Sequence, residues 1–115
     1  MNKIVVDKEQ VEFTSFDDGE KVKRDVYEMH KTKNLVTGVT IVYPHRQTKG
    51  HAHPKRDEHY YIIRGSGYLL LDQEKYEIKA GDDVLVPPTS VHTVVNPNDV
   101  PLEFFFAAIP GEPKV

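Results

Sequence analysis

The stretch that decides the fold runs from position 51 to position 65 and reads HAHPKRDEHYYIIRG. Its first two histidines, His51 and His53, are two residues apart, so on an extended segment their side chains project to the same side. Glu58 lies where the next predicted strand opens, directly before His59, and a turn at Pro54–Asp57 can bring its carboxylate back beside the two imidazoles. This arrangement predicts that three side chains of metal-binding type converge.

A fourth candidate ligand lies far downstream, where His92 begins a predicted strand after a turn at Pro87–Ser90. Two imidazoles on one extended segment, a carboxylate on the next strand and a third imidazole from an opposing strand can surround one point. Such a site would hold a divalent transition metal through three nitrogens and one oxygen, with room left for water or substrate. The candidate metal ligands are His51, His53, Glu58 and His92.

The ligand types restrict the identity of the metal only in part. Imidazole suits zinc, copper, iron and nickel, and a carboxylate also admits manganese, so manganese, iron, zinc, nickel, cobalt and copper all stay open. The chain has no cysteine, which argues against a closed structural zinc site and favours an open one. The alternative for the His-x-His pair is a solvated surface beside Lys49, Lys55 and Arg56.

Short runs of β type, separated by turn residues, extend on both sides of this stretch. The first twenty residues suggest a short strand and then a turn, and no later window of a dozen residues keeps a helical apolar period. Many short strands with frequent turns indicate an all-β sandwich or barrel with little helix. The predicted strands are Val26–His30, Gly38–Tyr43, His59–Arg64, Tyr68–Asp72, Tyr76–Lys79, Val84–Val86, His92–Val95 and Leu102–Ile109.

Length and charge limit the classes of protein that fit. A chain of 115 residues is expected to form one domain with one modest core and a loose tail at 111–115. Its 15 basic and 18 acidic residues give a net charge of −3, which argues against a nucleic-acid or anionic-membrane partner. The basic run Lys21–Arg24 lies among acidic residues and is interpreted as solvated. Without a signal-like or membrane-length apolar run, we expect a cytoplasmic protein.

Three runs are apolar on consecutive positions, so both faces of their strands are apolar. One face can line the interior of the barrel, and the other needs a cover that no amphipathic helix of this sequence supplies. We expect a second copy of the chain to supply it in a homodimer. The alternative is that the N-terminal twenty residues fold back over that face. The runs are Leu69–Leu71, Val94–Val95 and Phe104–Phe106.

Two segments resemble the two sequence motifs of the cupin family. Residues 51–65 follow the first motif: His-x-His, three or four residues, Glu, six residues and Gly. Residues 81–96, GDDVLVPPTSVHTVVN, follow the second: Gly, five residues, Pro, x, Gly, two residues, His, three residues and Asn. The first motif also begins with a glycine, at the position of His45, so the two motifs have ten fixed positions in all. Eight of the ten match, and the two departures replace a glycine by His45 and by Thr89.

The resemblance implies a small jelly-roll β-barrel, also called a double-stranded β-helix, as a single domain over residues 1–115. It places a metal inside the barrel, and all four ligand positions of the motifs are filled here. The residues around Glu58 and His92 are also similar to the sugar-phosphate isomerase branch of the family, although they recur in many small cupins. Because cupins include enzymes of several kinds and binding proteins, the fold does not select the reaction.

Tyr60 shares the inward parity of Glu58, which makes these two residues the candidate catalytic pair, with Glu58 or Tyr60 as a proton carrier. Ordinary core filling is the alternative for Tyr60. We expect a metal-dependent enzyme acting on a small oxygenated substrate of sugar or hydroxy-carbonyl type. The alternatives are an iron-dependent dioxygenase and a non-catalytic small-molecule or sugar-binding module. A phosphosugar would need a cation in the pocket, for which the candidates are Arg46, Lys49 and Arg64.

The other three histidines are not expected to bind the metal. His59 follows Glu58 directly on a strand, so its side chain faces away from that of Glu58. His45 is expected to cap a turn, with a position at the mouth of the barrel as the alternative, and His30 lies on an early strand with no partner visible in the sequence.

Overall fold

Strands account for nearly all of the regular structure, as the short β-type runs predict. The computed structural model describes residues 3–52, 57–88 and 90–109, and the only helical segment within them is a 3-10 turn at Lys8–Gln10. Nothing in these ranges forms a helix long and apolar enough to cross a membrane. The strands are β1 (Phe13–Asp18), β2 (Val22–Lys31), β3 (Val36–Val42), β4 (Arg46–Gln47), β5 (Glu58–Arg64), β6 (Ser66–Leu71), β7 (Glu74–Lys79), β8 (Asp83–Val86), β9 (His92–Asn96) and β10 (Leu102–Ala108).

The eight predicted strands are present, but β2 is longer than expected and β4 is absent from the predicted set. β2 begins at Val22 because Val22, Arg24 and Val26 alternate toward the interior of the barrel, so the interpretation of Lys21–Arg24 as solvated was wrong for Arg24. β4 is only two residues long, too short to show alternation in sequence. It exists because it pairs with β2 on one side and with β9 on the other. The expected tail at 111–115 lies outside the described residues.

The strands form one sheet in the order β7-β6-β9-β4-β2-β3-β10-β5-β8, with β1 paired to β2 outside this path. Every pairing is antiparallel except that of β2 with β4. The sheet curls into a nearly closed barrel, which confirms the predicted all-β jelly-roll architecture. Its core consists of inward-facing side chains of β3 and β5–β10: Val42, Tyr60, Ile62, Leu69, Ile78, Val86, Val94, Leu102 and Phe104.

The outer face of the sheet is partly covered by the segment that precedes β1. The Lys8 ammonium lies 4.9 Å from the centroid of the Tyr27 ring and 3.8 Å from Glu103 Oε2. The N-terminal segment therefore folds back over part of the sheet. On the outer face of β5 and β8, Tyr61 and Leu85 stay 47% and 67% exposed. The homodimer stays a prediction, with these two strands as its candidate surface.

The glycine positions of the two motifs coincide with left-handed backbone. Gly65 and Gly81 have φ angles of 83° and 96°, which glycine adopts without a steric penalty. His45, which replaces the first glycine of the motif, has φ of 59°. Histidine tolerates this region better than most residues, so the substitution keeps the turn rather than abolishing it. The other departure, Thr89, lies outside the described residues.

Asn96, the last residue of the second motif, is fully buried and holds three chain segments together. Its Nδ2 donates to the carbonyl oxygens of Val42, Tyr43 and Val100 at 3.1, 3.3 and 2.8 Å. Its Oδ1 accepts from the backbone N–H of Asn98 at 3.1 Å. A single amide thus serves both the end of β3 and the loop between β9 and β10, and the Tyr43 carbonyl also accepts a second hydrogen bond, from the N–H of Arg46 at 3.1 Å.

Replacing this amide should destabilise the barrel. Asn96→Ala is expected to lower the free energy of unfolding by roughly 1–3 kcal/mol, because the three carbonyl groups each lose a hydrogen bond at a buried position. Asn96→Asp should cost at least as much, since it sets a carboxylate against carbonyl oxygens. Urea denaturation followed by circular dichroism measures the loss. Asn98→Ala, at a partly exposed position of the same loop, is the control, and equal stability of the Asn96 and Asn98 variants would contradict this role.

Candidate metal centre

A cavity of about 790 Å³ opens between β1, β2 and the strands of the barrel interior. Its inner wall contains the buried residues Thr40, Glu58, Tyr60 and Phe104. Exposed side chains of β1, among them Phe16, form its rim. The cavity therefore connects solvent with the interior of the barrel at the end where the candidate ligands lie.

The two motifs meet in a reciprocal backbone pairing of His51 with His92. The N–H of His92 donates to the carbonyl of His51 at 2.9 Å, and the N–H of His51 donates to the carbonyl of His92 at 3.3 Å. This pairing places the two imidazole rings 4.2 Å apart between centroids, with an interplanar angle of 63°. His51 lines the cavity, and His92 is 2% exposed.

Both imidazoles direct the same nitrogen at a backbone carbonyl. His51 Nδ1 lies 2.8 Å from the carbonyl oxygen of Lys49, and His92 Nδ1 lies 3.3 Å from that of Ser90. A carbonyl can only accept, so these contacts favour the tautomer that carries its proton on Nδ1. In that tautomer the Nε2 lone pair is the metal-binding one, and the carbonyl fixes the orientation of the ring. The donor chemistry of these two residues thus fits a transition metal.

Glu58 and Tyr60 lie together on the inner wall, at alternate positions of β5. Tyr60 Oη donates to Glu58 Oε2 at 3.2 Å, and Glu58 is 6% exposed. The Tyr60 ring also packs on Phe104, at 4.4 Å between centroids, and lies 6.2 Å from the ring of His92. The hydroxyl predicted for the pocket therefore lies beside the candidate carboxylate and near one of the imidazoles.

Not all of the predicted ligands can be placed together. His53 lies outside the described residues. Across 3–52, 57–88 and 90–109, no three side chains of His, Asp or Glu come close enough together to hold a metal ion. The structure thus brings His51 beside His92 and Glu58 beside Tyr60, and the four-ligand set stays a prediction.

A cation that the sequence analysis did not select lines the cavity. Arg24 is half-buried, and burial lowers its pKa, while the charges of Tyr60 and Glu58 act in the opposite direction. The alternation of Val22, Arg24 and Val26 was the signal that could have revealed its inward position.

The three cations that the sequence suggested for binding a phosphosugar lie outside the cavity or at its rim. Lys49 lines the cavity but is exposed and lies 3.8 Å from Asp18. Arg64 donates to Glu103 at 2.8 Å, and neither Arg64 nor Arg46 is part of the cavity wall.

The remaining histidines lie away from the cavity, as expected. His59 Nδ1 is 2.9 Å from Asp83 on the outer side of the barrel. His45 is in a turn and contacts Asp99, and His30 Nε2 lies 2.7 Å from the carbonyl oxygen of Lys3.

Comparison with known proteins agrees with the two motifs and the barrel. The family model described as "Cupin domain" matches residues 38–108, which include every described residue of the candidate centre. The chain belongs to the cupin family.

Two curated relatives resemble this cupin in sequence. An uncharacterized protein of Methanocaldococcus jannaschii is 40% identical over 60 residues, covering 52% of this chain and 48% of the relative. A glucose-6-phosphate isomerase of Thermococcus onnurineus is 37% identical over 103 residues, covering 73% of this chain and 53% of the relative. The cupin chain thus spans about half the length of the curated relatives it matches.

Solved structures show the same barrel. A protein from Thermotoga maritima, described as a predicted oxalate decarboxylase, superposes with a TM-score of 0.84 over 92% of this chain and 98% of that chain. At 22% identity the likeness establishes the cupin fold and nothing further about the reaction.

The tautomers of the two facing histidines can be measured directly. In metal-free cupin, at a pH where the imidazoles are neutral, we expect His51 and His92 each to carry the proton on Nδ1, because each Nδ1 faces a carbonyl. Long-range ¹H–¹⁵N NMR of the rings distinguishes protonated from unprotonated nitrogens. His51→Ala and His92→Ala assign the signals. Protonation of Nε2 in either ring would contradict the proposed orientation of these donors.

Proposed function

We propose that this cupin binds one divalent transition metal through His51, His53, Glu58 and His92. The observation that carries the proposal is the pairing of His51 with His92, which sets their rings 4.2 Å apart with each Nδ1 directed at a carbonyl. Two imidazoles prearranged in this way would supply two nitrogen ligands of a type that several transition metals accept. The spacing of His53 from His51 and the burial of Glu58 beside Tyr60 support the other two ligands.

We further propose a metal-dependent enzyme that acts on a small oxygenated substrate of sugar or hydroxy-carbonyl type. The cavity, at about 790 Å³, falls within the range of roughly 300–1,000 Å³ typical of small-molecule sites. The 37% identity with a glucose-6-phosphate isomerase supports an isomerase-like reaction in particular. A bound metal would polarise oxygens of the substrate and make the proton on the adjacent carbon more acidic.

The residues of the chain itself would handle the proton. Glu58 Oε2 and Tyr60 Oη are 3.2 Å apart on the inner wall, a distance over which a proton can move between them. Glu58 and Tyr60 are each 6% exposed, and the Tyr60 ring packs on Phe104, so the pair has little contact with bulk water. Glu58 or Tyr60 would take the proton from one carbon of the substrate and return it to its neighbour.

Removal of either paired imidazole should abolish metal binding. Wild-type protein is expected to hold about one metal ion per chain, and His51→Ala and His92→Ala should lose it while keeping the β-type circular dichroism spectrum. Elemental analysis after gel filtration measures the metal content. His59→Ala is the matched control, because this imidazole is bonded to Asp83 outside the cavity. Unchanged metal content in both His51 and His92 variants would refute the site.

The reaction class can be tested by proton exchange and oxygen uptake. With glucose 6-phosphate in D₂O, we expect the metal-loaded protein to incorporate deuterium at the carbon next to the carbonyl. Tyr60→Phe should slow this exchange by about 10²-fold or more at unchanged metal content, as expected for loss of a general acid or base. Glu58→Gln should slow it as well, and its metal content is measured in parallel because Glu58 is also a proposed metal ligand. Tyr61→Phe, on the outer face of the same strand, is the control.

The two alternatives predict other results from the same preparations. Iron in protein purified without added metal, together with oxygen uptake in the presence of catechol-like or diketone substrates, would overturn the isomerase proposal in favour of a dioxygenase. Ligand-dependent thermal stabilisation with neither exchange nor oxygen uptake would instead establish a binding module.

A further inference from the structure

Arg24 is the basic residue set deepest in the wall of the cavity. It lies on β2 between Val22 and Val26, which line the same cavity, so its position follows from the alternation of the strand. The cavity wall also contains His51, Glu58 and Tyr60. A substrate that reaches the candidate metal centre would therefore share this space with the guanidinium.

In the part of the chain that the structure describes, no direct ion pair neutralises the charge of Arg24. Within the described ranges, its buried Nε has no hydrogen-bond partner and no carboxylate lies in salt-bridge contact with its guanidinium. Glu58 acts on it only through space, and burial lowers its pKa. If the carboxylate of Glu58 is taken by a metal, the guanidinium keeps an uncompensated positive charge in a partly desolvated site, which favours an anion beside it.

The guanidinium is also held in place before any ligand arrives. It stacks 4.6 Å from the centroid of the Phe16 ring, which lies directly opposite on β1. The next residue of β2, Asp25, accepts hydrogen bonds from Ser15 of β1 and from Tyr43, and the latter contact raises the pKa of Tyr43 to about 12. These contacts join β2 to Ser15 of β1 and to Tyr43, directly after β3. A ligand would therefore meet a preorganised cation.

We infer that Arg24 is the anion-binding residue of this cavity and holds a phosphate or carboxylate group of the substrate through charge-assisted hydrogen bonds. The planar guanidinium matches either group bidentately. The inference rests on the proposed function and deepens it, because it restricts the substrate to small oxygenated molecules that carry an anionic group.

The other charges of the cavity are compatible with this assignment. Asp18 lies 3.8 Å from the Lys49 ammonium at the rim, so these two charges compensate each other. Asp17, also on the cavity wall, belongs to β1, whose residues are all exposed to solvent. Screening by water weakens the repulsion that Asp17 exerts on an anion, whereas the half-buried guanidinium is screened less.

The test uses the full chain, both metal-free and after addition of zinc. The four arginines give few Nε–Hε signals in a ¹H–¹⁵N spectrum, and the signal absent from Arg24→Lys assigns Arg24. Inorganic phosphate, glycolate and neutral glycerol are titrated separately. We expect phosphate or glycolate, and not glycerol, to shift the Arg24 signal saturably. Calorimetry should show Arg24→Gln weakening that binding about tenfold or more.

Arg46→Gln is the matched control, because its Nε is also buried without a hydrogen-bond partner in the described ranges, yet it does not line the cavity. A shift with phosphate alone supports a phosphate ester as substrate, and a shift with glycolate alone supports a carboxylate. No saturable shift with either anion, or equal weakening in Arg24→Gln and Arg46→Gln, would overturn the inference. Metal content of Arg24→Gln should equal that of wild type, so failure here is distinguishable from failure of the metal site.

Discussion

Two backbone hydrogen bonds between His51 and His92 are the constraint on which the site depends. They join the loop after β4 to the first residue of β9, and so connect segments that are 41 positions apart in the sequence (92 minus 51). Because the backbones pair directly, the two imidazole rings lie side by side, 4.2 Å apart between centroids. The carbonyls of Lys49 and Ser90 then orient the rings. The pairing belongs to the fold, and the proximity of these two imidazoles follows from it.

Much of the barrel could be predicted because its strands are half-buried and alternate. Glu58 and Tyr60 were assigned to one face from parity, and both are buried in the structure. The exception, Arg24, shows the limit of judging a residue by its charged neighbours: Lys21 and Glu20 are exposed, but the strand turns Arg24 inward between two valines. β4 could not be predicted, since its two residues are a strand only through their partners.

The site itself was less predictable than the fold. The motif spacing assigned His51 and Glu58 to the site. It could not predict that Nδ1 of His51 and of His92 each contacts the carbonyl oxygen two residues earlier, because the backbone conformation of a loop leaves no pattern in the sequence. At His45, by contrast, the motif did indicate the loop backbone, because it has glycine at this position. The left-handed φ of 59° shows that the motif describes a backbone shape, which histidine can also adopt.

We propose a metal at one end of the cavity and a fixed cation in its wall, and the proposed function depends on the claim that the metal binds there. A crystal structure of zinc-loaded protein, with anomalous data collected at the zinc edge, tests that claim most directly. We expect one anomalous peak within coordination distance, about 2.0–2.2 Å, of Nε2 of His51 and His92 and of a Glu58 oxygen. A peak remote from the His51–His92 pair, or coordination through Nδ1 of these rings, would contradict it.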